Sequence, residues 1–105
     1  MGIDLRKKDL ETLRSIIAAF QGIKSARVFG SRANGTAARA SDIDLAIDAP
    51  GMPDSDWHRL TESLENAPII YKIDVVRLDR LENRKLRERV EKEGVDLSAG
   101  VTGRE

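Results

Sequence analysis

Three aspartates and a Gly-Ser pair are the residues of this chain whose types and spacing could do chemistry. Gly30-Ser31 is followed, after ten residues, by Asp42-Ile43-Asp44, and about thirty residues later Asp74 stands inside the apolar run Ile73-Asp74-Val75-Val76. On a strand, residues two apart point the same way, so Asp42 and Asp44 project from one face and repel each other unless a cation lies between them. An isolated carboxylate in an apolar strand is costly to bury without a partner, and if that strand lies beside the first, three carboxylates converge. Such an oxygen-only cluster suits Mg²⁺, which keeps several waters and takes further ligands from substrate phosphates. Gly30 lets the backbone turn and approach a phosphate, and Ser31 offers a hydroxyl at the start of a helical turn. Arg32 and Arg39 could add positive charge there.

Competing motifs fail on particular residues. Gly30 and Gly35 have the spacing of a phosphate-binding P-loop, but Thr36 and Ala37 stand where it needs Lys and Ser or Thr. A calcium loop beginning at Asp42 would place Ala46, Ile47 and Pro53 where an oxygen ligand, Gly and Glu belong. There is no Cys, and His58 is the lone histidine, which excludes a disulfide framework, a thiolate nucleophile and a Cys or His metal cluster. Any metal must therefore sit on oxygen. The 18 Lys and Arg balance 18 Asp and Glu, so no overall field draws the chain to nucleic acid or an anionic membrane. The charges are nevertheless sorted. Residues 26–41 carry Arg27, Arg32 and Arg39 and no acid, whereas residues 42–56 carry Asp42, Asp44, Asp48, Asp54 and Asp56 and no base. The last three of these read as solubilising or capping residues, and Lys72, on the third strand two residues before Asp74, could reach a triphosphate.

The elements that must position these groups follow from periodicity. With 105 residues, 40% of them hydrophobic, the sequence has the size and composition of one soluble α/β domain spanning 1–105. Leu10, Leu13, Ile16, Ile17 and Phe20 predict an amphipathic helix over 4–21, and Ala26-Arg27-Val28-Phe29 a short strand stopped by Gly30. Residues 31–41 have room for at most a short helix. Alternating Ile43, Leu45 and Ile47 predict a second strand with one buried face. Asp54 or Ser55 can cap a helix carrying Trp57, Leu60 and Leu64 inward and ending near Asn66. Residues 69–78 predict a third strand apolar enough to lie inside a sheet. Asp79 and Glu82 suggest a capping box for a last helix containing Leu86 and Val90 and closed by Gly94, with residues 95–105 as an extension or tail. The order is helix, strand, strand, helix, strand, helix. With no long apolar run and no signal-peptide pattern, a cytoplasmic location is expected.

Gly30-Ser31, the ten-residue interval, Asp42-x-Asp44 and Asp74 resemble the signature of the DNA polymerase β-type nucleotidyltransferases. The resemblance is strongest to the minimal nucleotidyltransferases, often the antitoxin half of a pair with a HEPN-domain protein. It implies a mixed sheet flanked by helices and transfer of a nucleoside monophosphate, AMP from ATP, to an acceptor hydroxyl with release of pyrophosphate, as in type VII toxin–antitoxin systems. It also implies that Asp42, Asp44 and Asp74 are the catalytic residues and bind two Mg²⁺ ions, that Gly30, Ser31 and Arg32 bind the phosphates, and that a HEPN-domain protein is the partner. Two alternatives stay open at this point: a non-catalytic module that neutralises such a partner by occlusion, and nucleotidyl transfer to a small molecule.

Overall fold

The computed structural model describes residues 2–38 and 41–98. Its helices and strands, in chain order, are α1 (Lys7–Ala18), β1 (Ser25–Phe29), α2 (Ser31–Asn34), β2 (Ile43–Asp48), α3 (Asp54–Glu65), β3 (Ile73–Arg77), α4 (Arg84–Glu93) and β4 (Val95–Asp96). The strands form one mixed sheet in the order β3-β2-β1-β4. β1 runs antiparallel to both β2 and β4, and β2 runs parallel to β3.

Alternation along the strands divides the core in two. Ala26 and Val28 of β1, with Ile43, Leu45 and Ile47 of β2, pack against Leu10 and Leu13 of α1 and Leu60 and Leu64 of α3. Phe29 and Ala46 point the other way and meet Val90 of α4 and Leu78, just past β3. Two helices therefore cover one face and a single helix covers part of the other. The short α4 leaves the rest of its face for polar work. Among the described residues no helix is long and apolar enough to cross a membrane.

Several local expectations are corrected, each for a tertiary reason. The first helix is Lys7–Ala18 rather than 4–21, because Ile3 and Leu5 enter the core as an extended segment whose Asp4 N–H donates to the Arg32 carbonyl at 2.8 Å. The third strand spans 73–77 and lies at the sheet edge, not inside it. Its apolar character comes from layers on both faces, with Ile73 and Val75 against one core and Val76 against the other. Residues 69–72 precede the register of β2, which begins with Ile43 opposite Ile73, and Ile70 is 80% exposed. Part of the expected C-terminal extension is strand β4, paired with Arg27 and Val28 of β1, and residues beyond 98 lie outside those described.

The expected caps also move. Asp54 opens α3 within its first turn, with Pro53 at the cap position, and its carboxylate takes Arg80 at 2.6 Å. Leu78–Arg80 is a 3-10 turn, so Asp79 cannot cap the last helix, and Asn83 does so by accepting from the Leu86 N–H at 3.1 Å. Asp79 instead accepts from the Ala49 N–H at 2.8 Å and pairs with Arg77 at 3.2 Å. Arg77 in turn donates to the Ala49 and Met52 carbonyls at 2.9 and 2.7 Å and stacks over Trp57. The two side chains are 8% and 10% exposed and tie the β2–α3 loop to the end of β3.

Burial opposes the charge on Asp79, but the backbone N–H donors and Arg77 outweigh it and hold its carboxyl below the usual range. A carboxyl with a lowered pKa in the folded state contributes stability that is present above its unfolded pKa and lost as pH falls through its folded pKa. Urea midpoints should therefore fall on acidification below about pH 4. Asp79→Asn should lose that part of the acid dependence and be less stable by about 3 kcal/mol at neutral pH, because Arg77 is left without its buried partner. An unchanged neutral midpoint in that variant would contradict this role.

Candidate active site

β1 ends at Phe29, and Gly30 then turns the chain with φ 73° and ψ −150°, a region essentially restricted to glycine. The close fit explains why glycine is needed here: a Cβ on Gly30 would stand 2.6 Å from Asp44 Oδ2. The Gly-Ser turn and the second aspartate of Asp-x-Asp are thus in direct contact through the fold. Ser31 follows as the first residue of α2, half-buried.

The sheet register sets the carboxylates. Phe29 pairs with Asp44 across β1 and β2, and Asp44 pairs with Asp74 across β2 and β3. Directly paired residues share a face, so Phe29, Asp44 and Asp74 form a row on the α4 side of the sheet, in line with buried Ala46. Asp42 lies one residue before β2 begins and is exposed. The expected convergence of the two aspartate strands is therefore met by the register.

Burial raises the pKa of Asp44, the neighbouring charges of Asp74 and Asp42 raise it further, and Arg89 acts against them. Three carboxylates on one face, two of whose charges oppose ionisation of Asp44, with no His or Cys nearby, are a donor set that fits a hard divalent cation. Among the described residues no three such side chains are already drawn together at metal-binding spacing. Asp74 is turned toward Lys72, whose Nζ lies 3.5 Å from its Oδ1.

Arg32 does not join this group. It is 5% exposed, its Nε and Nη2 donate to the Ser41 carbonyl, its Nη1 donates to the Asp4 carbonyl at 2.9 Å, and its guanidinium lies 4.2 Å from the Tyr71 ring centroid. The expectation that it faces phosphate gives way to a structural role. Arg32 staples the N-terminal segment, the approach to β3 and the residue before Asp42, and so holds the Asp-x-Asp segment in place. Arg39 lies outside the described residues.

The cation that does reach the site is one the motif reading missed. Arg89 Nη2 lies 3.5 Å from where a Gly30 Cβ would be, its guanidinium is 5.9 Å from the Phe29 ring centroid, and its charge acts on Asp44. The only signal in the sequence is its place beside Val90, the buried residue of α4. A cavity of about 410 Å³ between α3 and the β3 edge has Lys72 and Asp74 in its lining and so borders the carboxylate row, whereas one of about 530 Å³, lined by Arg14, Ile17, Ile23 and Leu97 among others, lies on the α1 side near β4.

The fold and the carboxylate row define a class: the family model of polymerase β nucleotidyltransferases matches residues 11–99, and the chain belongs to that family. Within it, the chain stands with the minimal nucleotidyltransferases. It is 34% identical to a solved structure described as one, with a TM-score of 0.65 over 84% of this chain and 88% of that chain. It is 25% identical to a chain of the toxin–antitoxin MntA-HpeT, solved with two aspartates two positions apart each replaced by glutamate, with a TM-score of 0.64 over 94% of this chain and 76% of that one. A toxin–antitoxin solved with AMP-PNP shares the fold at 23% identity, with a TM-score of 0.70 over 90% of this chain and 75% of that one. No curated protein matches the sequence.

Proposed function

We propose that the chain transfers AMP from ATP to a hydroxyl of a HEPN-domain partner protein within a toxin–antitoxin pair. The observation that carries this reading is the in-register pair of Asp44 and Asp74, with Gly30 packed against the Asp44 carboxylate. The toxin–antitoxin neighbours support the choice of a protein partner, and the paired aspartates altered in one of them support the weight placed on Asp42 and Asp44.

In this mechanism Asp42 and Asp44 are the residues that would hold Mg²⁺ for the triphosphate, and Asp74 the residue that would hold an ion for the acceptor. Bound Mg²⁺ would supply charge stabilisation to the attacking and leaving oxygens. Gly30 and Ser31 take the phosphates from the opposite side. The acceptor oxygen forms a bond to the α-phosphorus while the bond from that phosphorus to the bridging oxygen breaks and pyrophosphate departs. Asp74, on the edge strand, accepts the acceptor's proton. The protein's contribution is mainly to fix these groups in line, which is where most of the acceleration in such transfers arises.

The test is intact-mass measurement after incubating this chain with ATP, Mg²⁺ and the product of the neighbouring gene. AMP-sized increments on the partner that disappear without Mg²⁺ are expected. No increment on either chain, with ATP or any other common nucleoside triphosphate, overturns the reading.

A further inference from the structure

Once Arg32 is accounted for by backbone carbonyls, the phosphate side of the site needs another cation. Arg89 meets the requirement from a different element. Its guanidinium borders the Gly30 turn with Nη2 3.5 Å from the position a Cβ would take there. Its side chain is 50% exposed, so the charged end is open to solvent and to a ligand. Glu93, one helical turn on, lies 3.5 Å from its Nε and leaves the Nη side directed at the turn. The guanidinium carbon lies 5.9 Å from the Phe29 ring centroid, within cation–π range. Lys72, by contrast, is paired with Asp74 on the far strand.

We infer that Arg89 is the residue that binds the anionic oxygens of the substrate triphosphate over Gly30-Ser31, on the side of Asp44 away from Asp74. This rests on the nucleotidyl-transfer reading and adds to it a phosphate contact that the family signature in this sequence does not contain. Arg suits the place because its planar fork can engage two phosphate oxygens at once, whereas Lys offers a point charge.

The experiment is calorimetric titration of the full chain with inorganic tripolyphosphate and Mg²⁺, which needs neither acceptor nor transfer. Arg89→Met keeps an apolar stem of similar length and removes the charge, and it should weaken binding at least roughly tenfold, as expected for a lost charge-assisted contact. Arg89→Lys should recover part of the loss. Arg59→Ala, on the α3 surface, should bind like the wild type. In transfer assays Arg89→Met should raise the KM for ATP more than it lowers kcat. Equal binding by wild type and Arg89→Met overturns the assignment and leaves the function reading standing, whereas no binding by the wild type overturns both. If Arg89→Met loses its melting transition, Arg89→Gln provides the same comparison.

Discussion

Replacing Asp44 with Asn should reduce nucleotidyl transfer by roughly 10³-fold while leaving the melting temperature unchanged or higher. The loss in rate follows from the place of Asp44 at the centre of the row, between Asp74 in register and the Gly30 turn. Removing a metal-holding charge forfeits about 4 kcal/mol of transition-state stabilisation, which corresponds to about three decades. The stability side follows from electrostatics. Burial and the charges of Asp74 and Asp42 all oppose ionisation of Asp44, with Arg89 alone acting for it. A neutral amide of the same shape relieves that repulsion. Activity within tenfold of wild type would remove Asp44 from the mechanism, and a large drop in melting temperature would show that the carboxylate is structural instead.

Gly30→Ala should be nearly as damaging by a different route. The backbone there lies in a glycine-only region, which alone costs about 1–3 kcal/mol for a residue with a Cβ. The added methyl would also sit 2.6 Å from Asp44 Oδ2, so the carboxylate must swing away. Displacing a reacting group by about 1 Å costs on the order of 100-fold in rate, and a loss of at least that size is expected. Gly35→Ala provides the contrast. Gly35 also has positive φ, at 84°, but nothing lies within 4 Å of its would-be Cβ. That variant should lose about 1 kcal/mol of stability from backbone strain and keep its rate. Similar activity in Gly30→Ala and wild type would mean that the contact with Asp44 does not position the site.

How much of the site was legible can be judged residue by residue. The Gly-Ser turn and Asp-x-Asp are local features, visible because glycine and paired acids have few substitutes for those tasks. A lone carboxylate in an apolar run marked Asp74 as needing a partner, but that its strand lies beside theirs was only a condition until the register met it. Arg32 was misleading for a physical reason. Its position in the acid-free segment suggested a phosphate ligand, but a long side chain's destination depends on which carbonyls the fold leaves unpaired, here those of Asp4 and Ser41. Asp79 shows the same limit: its spacing from Glu82 suits a cap, yet the Ala49 N–H and Arg77, distant in sequence, claim its carboxylate.

The sequence by itself therefore determined the types of the main helices and the first three strands, the family signature and the chemistry of a carboxylate site, since these depend on residue identity and short-range spacing. Only the tertiary structure decided the rest. It placed Asp44 and Asp74 in register, put β3 at the edge, turned Arg32 away from the site and brought Arg89 of α4 to the Gly30 turn. Each of these is a relation between segments far apart in the chain, set by which faces pack and which polar groups burial leaves to be satisfied.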